Sequence, residues 1–211
     1  MKKLFESWNA YVLNEMSGLS RTRQHVEEHD CAIITAFRND PADMSKCQPG
    51  SVKGDEGKTK QTNKKRNRDL KALLLGLDYG VTKVDGSYVE NFEQPDAVEV
   101  KENSLFVVNL YDEPNFVSAI ARLAEKFCQD SVLIIPQGGK AAYLMGTNNS
   151  EWPGHAEKEV VGDLKMGGEE EFMTRVGGRP YTFTESLETF KGLTRLEKMT
   201  VKSICKRLMK S

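Results

Sequence analysis

A basic segment near the middle of the chain holds the side chains best suited to chemistry. Five positive charges occur in the ten residues 62–71, and a leucine-rich run follows them. At about 100° per residue, the leucines define the inner stripe of a helix, and Asn63, Arg66 and Asn67 lie close to that stripe. The pattern therefore predicts a polar patch that faces the protein interior. The other cations fall on the solvated side of the same helix: Lys64, Lys65, Arg68 and Lys71.

The inward-facing patch needs hydrogen-bond partners, because each unsatisfied buried polar group costs about 1–3 kcal/mol. One interpretation is structural: Arg66 pairs with an acid such as Asp85 or Glu125. The other is a ligand site, completed by Thr35 and Arg38 at the end of the preceding strand. Guanidinium groups, amides and a helix N-terminus together suit a phosphate or a carboxylate. Both interpretations remain open on the sequence.

Motifs for other chemistries are weak or missing in the sequence. His25 and His29 match H-x-x-E-H, the pattern of a family of zinc proteases, but they occupy a polar connector and have no obvious third ligand. The sequence has no phosphate-binding or dinucleotide-binding glycine motif, no G-x-S-x-G, and no histidine placed beside a nucleophile. We therefore predict no catalytic residue, no metal and no cofactor.

Composition narrows the class of protein. The formal net charge is -1, so no global basic field marks a dedicated nucleic-acid binder. No stretch approaches the roughly 18 apolar residues of a membrane span, and the start lacks a secretion signal. We therefore expect a cytoplasmic protein without a membrane partner. The four cysteines show no C-x-x-C spacing, which predicts reduced thiols without a disulfide or a zinc site: Cys31, Cys47, Cys128 and Cys205.

The order of elements predicts an α+β fold of the ferredoxin-like split βαβ type, in which two helices cover one face of an antiparallel sheet. Apolar runs and turn residues place the elements in the order β-α-β-β-α-β, with a further hairpin strand at one edge. The predicted elements are a strand at 31–37, a helix ending near Gly80, strands at 81–89 (with a bend at Asp85) and 104–110, a helix from Asp112, and strands at 132–135 and 141–145.

Three regions organise the chain. Residues 1–20 form an amphipathic helix or targeting segment, and residues 30–147 form the core domain with a long mobile loop at 39–61. Residues 148–211 form a C-terminal extension with possible strands at 158–164 and 179–183. The extension ends in a basic amphipathic helix, which Thr194 and Glu197 begin with a capping box. We expect the inner side of this helix to carry Leu196, Thr200, Val201, Ile204 and Leu208.

Three spaced motifs are similar to a known pattern: ITAFR ending at Arg38, NKKRNRDLKALLLGLDYG at 63–80 and AEKFCQDSVLI at 124–134. Together they resemble a small domain family of unknown function found in bacteria and tailed phages, over roughly residues 30–145. This resemblance implies no activity. It implies that the following residues belong to the family pattern: Thr35, Asn63, Arg66, Asn67 and Gln129.

The N-terminus carries a second resemblance. Leu13-Asn14-Glu15 looks like the L-x-E cleavage site that closes the head-targeting peptides of T4-like phages. That resemblance implies a protein packaged in the virion and injected into the host cell cytoplasm. The alternative is a plain docking helix.

The functional hypothesis is a non-catalytic binding protein, a phage accessory factor that engages a host protein or a nucleotide-like ligand in host takeover or counter-defence. A first alternative is a small enzyme or sensor that acts on a phosphate-bearing nucleotide at the inward-facing patch. A second alternative is a nucleic-acid accessory protein that uses the basic residues of 53–71 and the terminal helix.

Overall fold

A computed structural model describes residues 22–90, 98–162, 181–183 and 188–210. The helix and cleavage motif predicted within residues 1–20 lie outside these ranges. The described elements are α1 (residues 22–28), β1 (Cys31–Ile34), α2 (Thr59–Gly76), β2 (Gly80–Glu90), β3 (Val98–Val108), α3 (Phe116–Lys126), β4 (Ser131–Ile135), β5 (Ala142–Gly146), β6 (Lys158–Gly162), β7 (Tyr181–Phe183) and α4 (Arg195–Leu208).

The strands form one antiparallel sheet in the order β6-β5-β4-β1-β3-β2-β7. Its central four strands, β4-β1-β3-β2, with α2 and α3 as the connections, make the predicted ferredoxin-like arrangement. The fold class is therefore confirmed. The β4–β5 hairpin extends one edge as expected, β6 continues it, and β7 adds a short strand at the opposite edge.

The hydrophobic core explains why α2 and α3 lie on the sheet. Leu70, Leu73 and Leu74 are buried with Ile34 and Phe116 in one continuous cluster. Each Å² of apolar surface that is removed from water stabilises the folded protein by about 25 cal/mol. This burial holds the helices against the strands. Leu77, also predicted to be on the inner stripe, is more exposed because it caps the end of α2.

Several boundaries differ from the predictions. The polar connector predicted at 20–30 is helical over residues 22–28, because its polar residues occupy the outer side of α1 while Val26 is buried. Pairing between β2 and β3 continues through Asp85, so the predicted bend is wrong. β3 also begins at Val98, earlier than the predicted 104. Sequence alternation is weak at these positions, and the strand pairing itself sets the register.

Helix α4 packs against α2 and shares its core. The predicted capping box is present: the Thr194 hydroxyl accepts from the Glu197 N–H, and the Glu197 carboxylate accepts from the Thr194 N–H. Arg207 donates to Asp69 of α2 at 2.7 Å. Leu196 and Thr200 are exposed, contrary to their predicted inner positions, and Leu196 lies in the first turn, ahead of the contact. The buried side of α4 consists of Val201, Ile204 and Leu208.

A close approach at the end of α2 gives a test of this packing. A Cβ added at Gly76 would lie 2.7 Å from the Cys205 sulfur of α4. We expect Gly76→Ala to destabilise the protein by about 1 kcal/mol, because the sulfur must move. In a Cys205→Ala background the same change should stabilise it by about 1 kcal/mol, since alanine favours the helix. Urea unfolding of the four proteins measures the coupling; equal effects in both backgrounds would contradict the contact.

No helix among the described residues is long and apolar enough to cross a membrane.

Candidate functional site

The end of β1, the first turns of α2 and the α3–β4 junction meet at one place in the fold. β1 lies between β3 and β4 in the sheet, and α2 returns across the face beside it. This arrangement brings together all six residues of the predicted site, which we call the β1-end cluster: Thr35, Arg38, Asn63, Arg66, Asn67 and Gln129. The helical phase predicted for α2 is confirmed at Asn63 and Arg66, which are buried, and at Lys64 and Lys65, which are exposed. It is wrong for Lys71, whose side chain is mostly covered and lies 2.5 Å from Glu188.

Arg66 lies at the centre of the β1-end cluster and is only 3% exposed. Its guanidinium donates to three backbone carbonyls from three separate segments: those of Ala36 (2.9 Å), Val52 and Phe127. The Phe127 ring also lies below it, 5.6 Å from the guanidinium carbon. Glu125, one of the two acids proposed as a partner from the sequence, is not among these contacts, and the side chain of the other, Asp85, lies outside the described residues. Carbonyl dipoles therefore balance this buried charge.

Burial, and secondarily the positive charge of Arg38, lower the pKa of Arg66 to about 10. The guanidinium is therefore still charged at neutral pH. Each carbonyl accepts a charge-assisted hydrogen bond, which is stronger than a bond between neutral groups. Arg66 consequently ties β1, the loop before α2 and the end of α3 together.

Asn63 and Asn67 fix the backbone that follows β1. The Asn63 amide accepts from the Arg38 N–H at 3.1 Å and donates to the Arg38 carbonyl at 2.7 Å. Asn67 accepts from the Ala36 N–H at 3.2 Å and donates to the Asn103 carbonyl at 3.0 Å. Only a side chain with both a donor and an acceptor can bind backbone in this way, which explains the choice of asparagine.

Thr35 and Gln129 add further bonds to the same segment. The Thr35 hydroxyl donates to the Asn103 carbonyl and accepts from the Phe37 N–H, both at 3.1 Å. Gln129 donates to the carbonyls of Phe37 (3.3 Å) and Phe127 (3.1 Å). These contacts hold the backbone in place. Contact of the six side chains with a ligand stays a prediction.

Arg38 differs from the rest of the β1-end cluster. Its side chain is 15% exposed, and one terminal nitrogen donates to the Cys128 carbonyl and lies 3.7 Å from the Asp130 carboxylate. Its Nε is buried and has no hydrogen-bond partner among the described residues. Asp130 is largely exposed, so its screening by water weakens the pair. The site thus keeps an excess of positive charge next to an unsatisfied donor.

A disulfide joins Cys47, in the loop before α2, to Cys128 at the α3–β4 junction, with 5.0 Å between the Cα atoms. The prediction of four reduced thiols is therefore wrong for this pair. The two cysteines are 81 positions apart, so no local spacing could reveal them. Cys31 and Cys205 are free, and burial raises the pKa of both thiols.

The loop carrying Cys47 was predicted to be long and mobile, over 39–61. The last residues of this predicted loop belong to α2, which starts at Thr59. The Val52 N–H donates to the Lys126 carbonyl at 2.7 Å, and the Ser51 hydroxyl donates to the Glu125 carbonyl at 2.6 Å. These bonds and the disulfide hold the loop against the end of α3. Its mobility stays a prediction.

A second loop, residues 147–157, borders the β1-end cluster. Its position beside the cluster was not predicted from the sequence. Asn148 donates to the Asp130 carboxylate at 2.6 Å, which places this loop beside the partner of Arg38. His155 lies 3.0 Å from Glu125 of α3, and Trp152 is 59% exposed. The loop therefore adds an aromatic surface and a histidine–carboxylate pair near the site. No sequence motif marks these residues, since only the fold brings them to this end of the sheet.

The histidines of the H-x-x-E-H motif lie away from this site, His25 on α1 and His29 directly after it. Their ring centroids are 6.2 Å apart, and His29 contacts Asp112 at 3.0 Å. The described ranges contain no group of three or more side chains that could hold a metal ion.

Comparison with known proteins gives one result. A family model described as the S-adenosylmethionine lyase family matches residues 55–191, more than half of the chain. Asn63, Arg66, Asn67 and Gln129 lie within this range, whereas Arg38 lies before it. Neither the curated proteins nor the solved structures contain a match.

This match corrects the functional hypothesis drawn from the sequence. A lyase family indicates an enzyme, so the interpretation as a non-catalytic binding protein is wrong. The alternative of a small enzyme is closer. The resemblance to a family is confirmed in part, but that family has a named activity. The error came from treating the lack of a recognised catalytic motif as evidence against catalysis.

Proposed function

We propose, because the chain belongs to the S-adenosylmethionine lyase family, that the protein is an enzyme which cleaves a carbon–sulfur bond of S-adenosylmethionine. The family match over residues 55–191 is the observation that carries this proposal. A lyase breaks its bond without water or an oxidant as co-reactant. In this substrate the sulfonium sulfur leaves as a neutral thioether and keeps the electron pair of the broken bond.

The protein does not need to activate the leaving group, because the positively charged sulfur already leaves readily as a neutral thioether. The carbon that loses the sulfur gains a new bond in one of two ways. Either the carboxylate of the substrate attacks it and closes a ring, or a base takes a proton from a neighbouring carbon and a double bond forms. Neither route needs a nucleophile from the protein. Holding the substrate in a reactive shape and excluding water supplies the acceleration.

The β1-end cluster is our proposed binding site for the amino-acid end of the substrate. S-adenosylmethionine carries a carboxylate and no phosphate, so of the two anions that the sequence allows at this site we choose the carboxylate. Arg38 supplies the contact, since its guanidinium is partly exposed and its pair with the largely exposed Asp130, at 3.7 Å, is weak. Thr35, Asn63, Arg66, Asn67 and Gln129 serve this role through the backbone that they hold.

Incubation of the purified full chain with S-adenosylmethionine in heavy-oxygen water tests the proposed reaction. Mass spectrometry of early time points should show a thioether product that retains the adenosyl group, and an amino-acid fragment without heavy oxygen. Arg68→Ala, which removes an exposed cation of α2, serves as a matched active control. Heavy oxygen in the first-formed fragment would indicate hydrolysis, and lack of substrate loss would contradict the proposal.

A further inference from the structure

The Cys47–Cys128 disulfide lies directly against the proposed carboxylate-binding group. Cys128 is fully buried, and its sulfur lies 3.1 Å from a terminal nitrogen of Arg38. Cys47 is only partly buried, in the loop before α2. The bond therefore has one accessible sulfur and one buried sulfur that faces a cation.

We propose that this disulfide is a thiol-sensitive control of substrate binding, in which reduction turns Arg38 from the substrate carboxylate to the Cys128 thiolate. The proposal rests on the proposed function for its substrate. Cys47 and Cys128 are positioning residues in this scheme, since they act through Arg38 and do not contact the reacting atoms.

The direction of thiol exchange follows from the two environments. The thiolate of a small thiol, such as glutathione, attacks the accessible sulfur of Cys47 and forms a mixed disulfide with it. The Cys47–Cys128 bond breaks, and Cys128 leaves as a thiolate that keeps the electron pair. A second small thiol then attacks the mixed disulfide, releases Cys47 as a thiol and forms the oxidised small disulfide. Two small thiols are thus oxidised while one protein disulfide is reduced.

Arg38 is expected to speed this exchange and to couple it to substrate binding. A guanidinium beside the departing sulfur stabilises its negative charge, and exchange is faster when the leaving thiolate is stabilised. Once formed, the thiolate competes with the substrate carboxylate for the same cation. The loop before α2 also loses its covalent link to the α3–β4 junction. Because the thiolate competes only for the cation, reduction is expected to weaken the binding of ligands that carry a carboxylate and to spare those that lack one.

Two ligands separate this charge effect from general loosening. S-adenosylhomocysteine carries the carboxylate, and methylthioadenosine lacks it. Reduction of the full chain should raise the dissociation constant of S-adenosylhomocysteine about tenfold, as expected for loss of one charge-assisted hydrogen bond, and leave that of methylthioadenosine unchanged. Cys47→Ser should show the reduced value under both conditions. Cys205→Ser, which changes a free cysteine on α4, should respond like the wild type.

The affinity results also separate the two proposals. Equal affinities in the oxidised and reduced proteins, or equal weakening of both ligands, would overturn the control by Arg38. Binding of neither ligand in either state would overturn this proposal together with the proposed function.

A second measurement does not depend on any ligand. Peptide mapping without reductant should recover the Cys47–Cys128 link, and its rate of reduction by dithiothreitol should fall about tenfold in Arg38→Ala, because the leaving thiolate loses its cation. An unchanged rate, or a map without the link, would also overturn the proposal. Arg122→Ala is the matched control, since it removes an exposed arginine of α3.

Discussion

Arg66→Met is expected to lower the free energy of unfolding by about 4 kcal/mol, since it removes a buried group that satisfies three carbonyls. Methionine keeps much of the side-chain volume, so the loss reports hydrogen bonding more than a cavity. The carbonyls of Ala36 and Val52 would lose the donor that Arg66 supplies inside the protein, and that of Phe127 would keep only the bond from Gln129. Urea unfolding followed by circular dichroism measures the effect.

Two control variants show whether the loss of stability in Arg66→Met comes from the buried position and from the shape of the guanidinium. Arg68→Met alters a cation on the same helix whose side chain is 65% exposed, and it should change stability by less than about 0.5 kcal/mol. Arg66→Lys keeps the charge, but its ammonium group lacks the planar fork with which the guanidinium reaches three acceptors. It should therefore recover only part of the lost stability. A cost below about 1 kcal/mol for Arg66→Met would show that the carbonyls find other donors.

The fold was predictable because its signals are local and repeat along the chain. The apolar stripes of α2 and α3 and the short strand runs fix the element order, and the connections then favour one sheet topology. Helical phase also separated the buried Arg66 from the exposed Lys64 and Lys65. In contrast, the α4 contact with α2 depends on the path of the C-terminal extension, which no local pattern encodes.

The partners of the predicted site residues were beyond sequence reasoning for a physical reason. The sequence shows that Arg66 has donors, but its acceptors are backbone carbonyls, which every residue carries. Only the folded arrangement selects those of Ala36, Val52 and Phe127. The Cys47–Cys128 bond is hidden in the same way, since it depends on a loop folding back onto the end of α3.

The activity was hidden because the proposed reaction needs no catalytic motif. Motif searches find nucleophiles, bases and metal ligands, which are the groups that activate poor reactants. A sulfonium is already activated, so the protein only has to bind the substrate in a reactive conformation. Such a binding site does not require a recognisable catalytic motif. The family match over 55–191 supplies what the residue types could not.

Arg38→Gln is expected to raise KM for S-adenosylmethionine about 30-fold, because the substrate carboxylate loses a charged donor. The affinity for methylthioadenosine, which has no carboxylate, should stay the same. The free energy of unfolding should fall by about 1 kcal/mol, since the side chain also donates to the Cys128 carbonyl. Steady-state kinetics, ligand titration and urea unfolding of one preparation give the three values.

The pattern of these three values decides what Arg38 does. A purely structural arginine would weaken both ligands in step with the loss of stability, whereas a carboxylate-binding arginine weakens only the ligand that carries the charge. Arg38→Lys should recover part of the affinity, because an ammonium group retains the charge without the planar donor geometry. An unchanged KM in Arg38→Gln would place the substrate carboxylate elsewhere and leave Arg38 as a support for the α3–β4 junction.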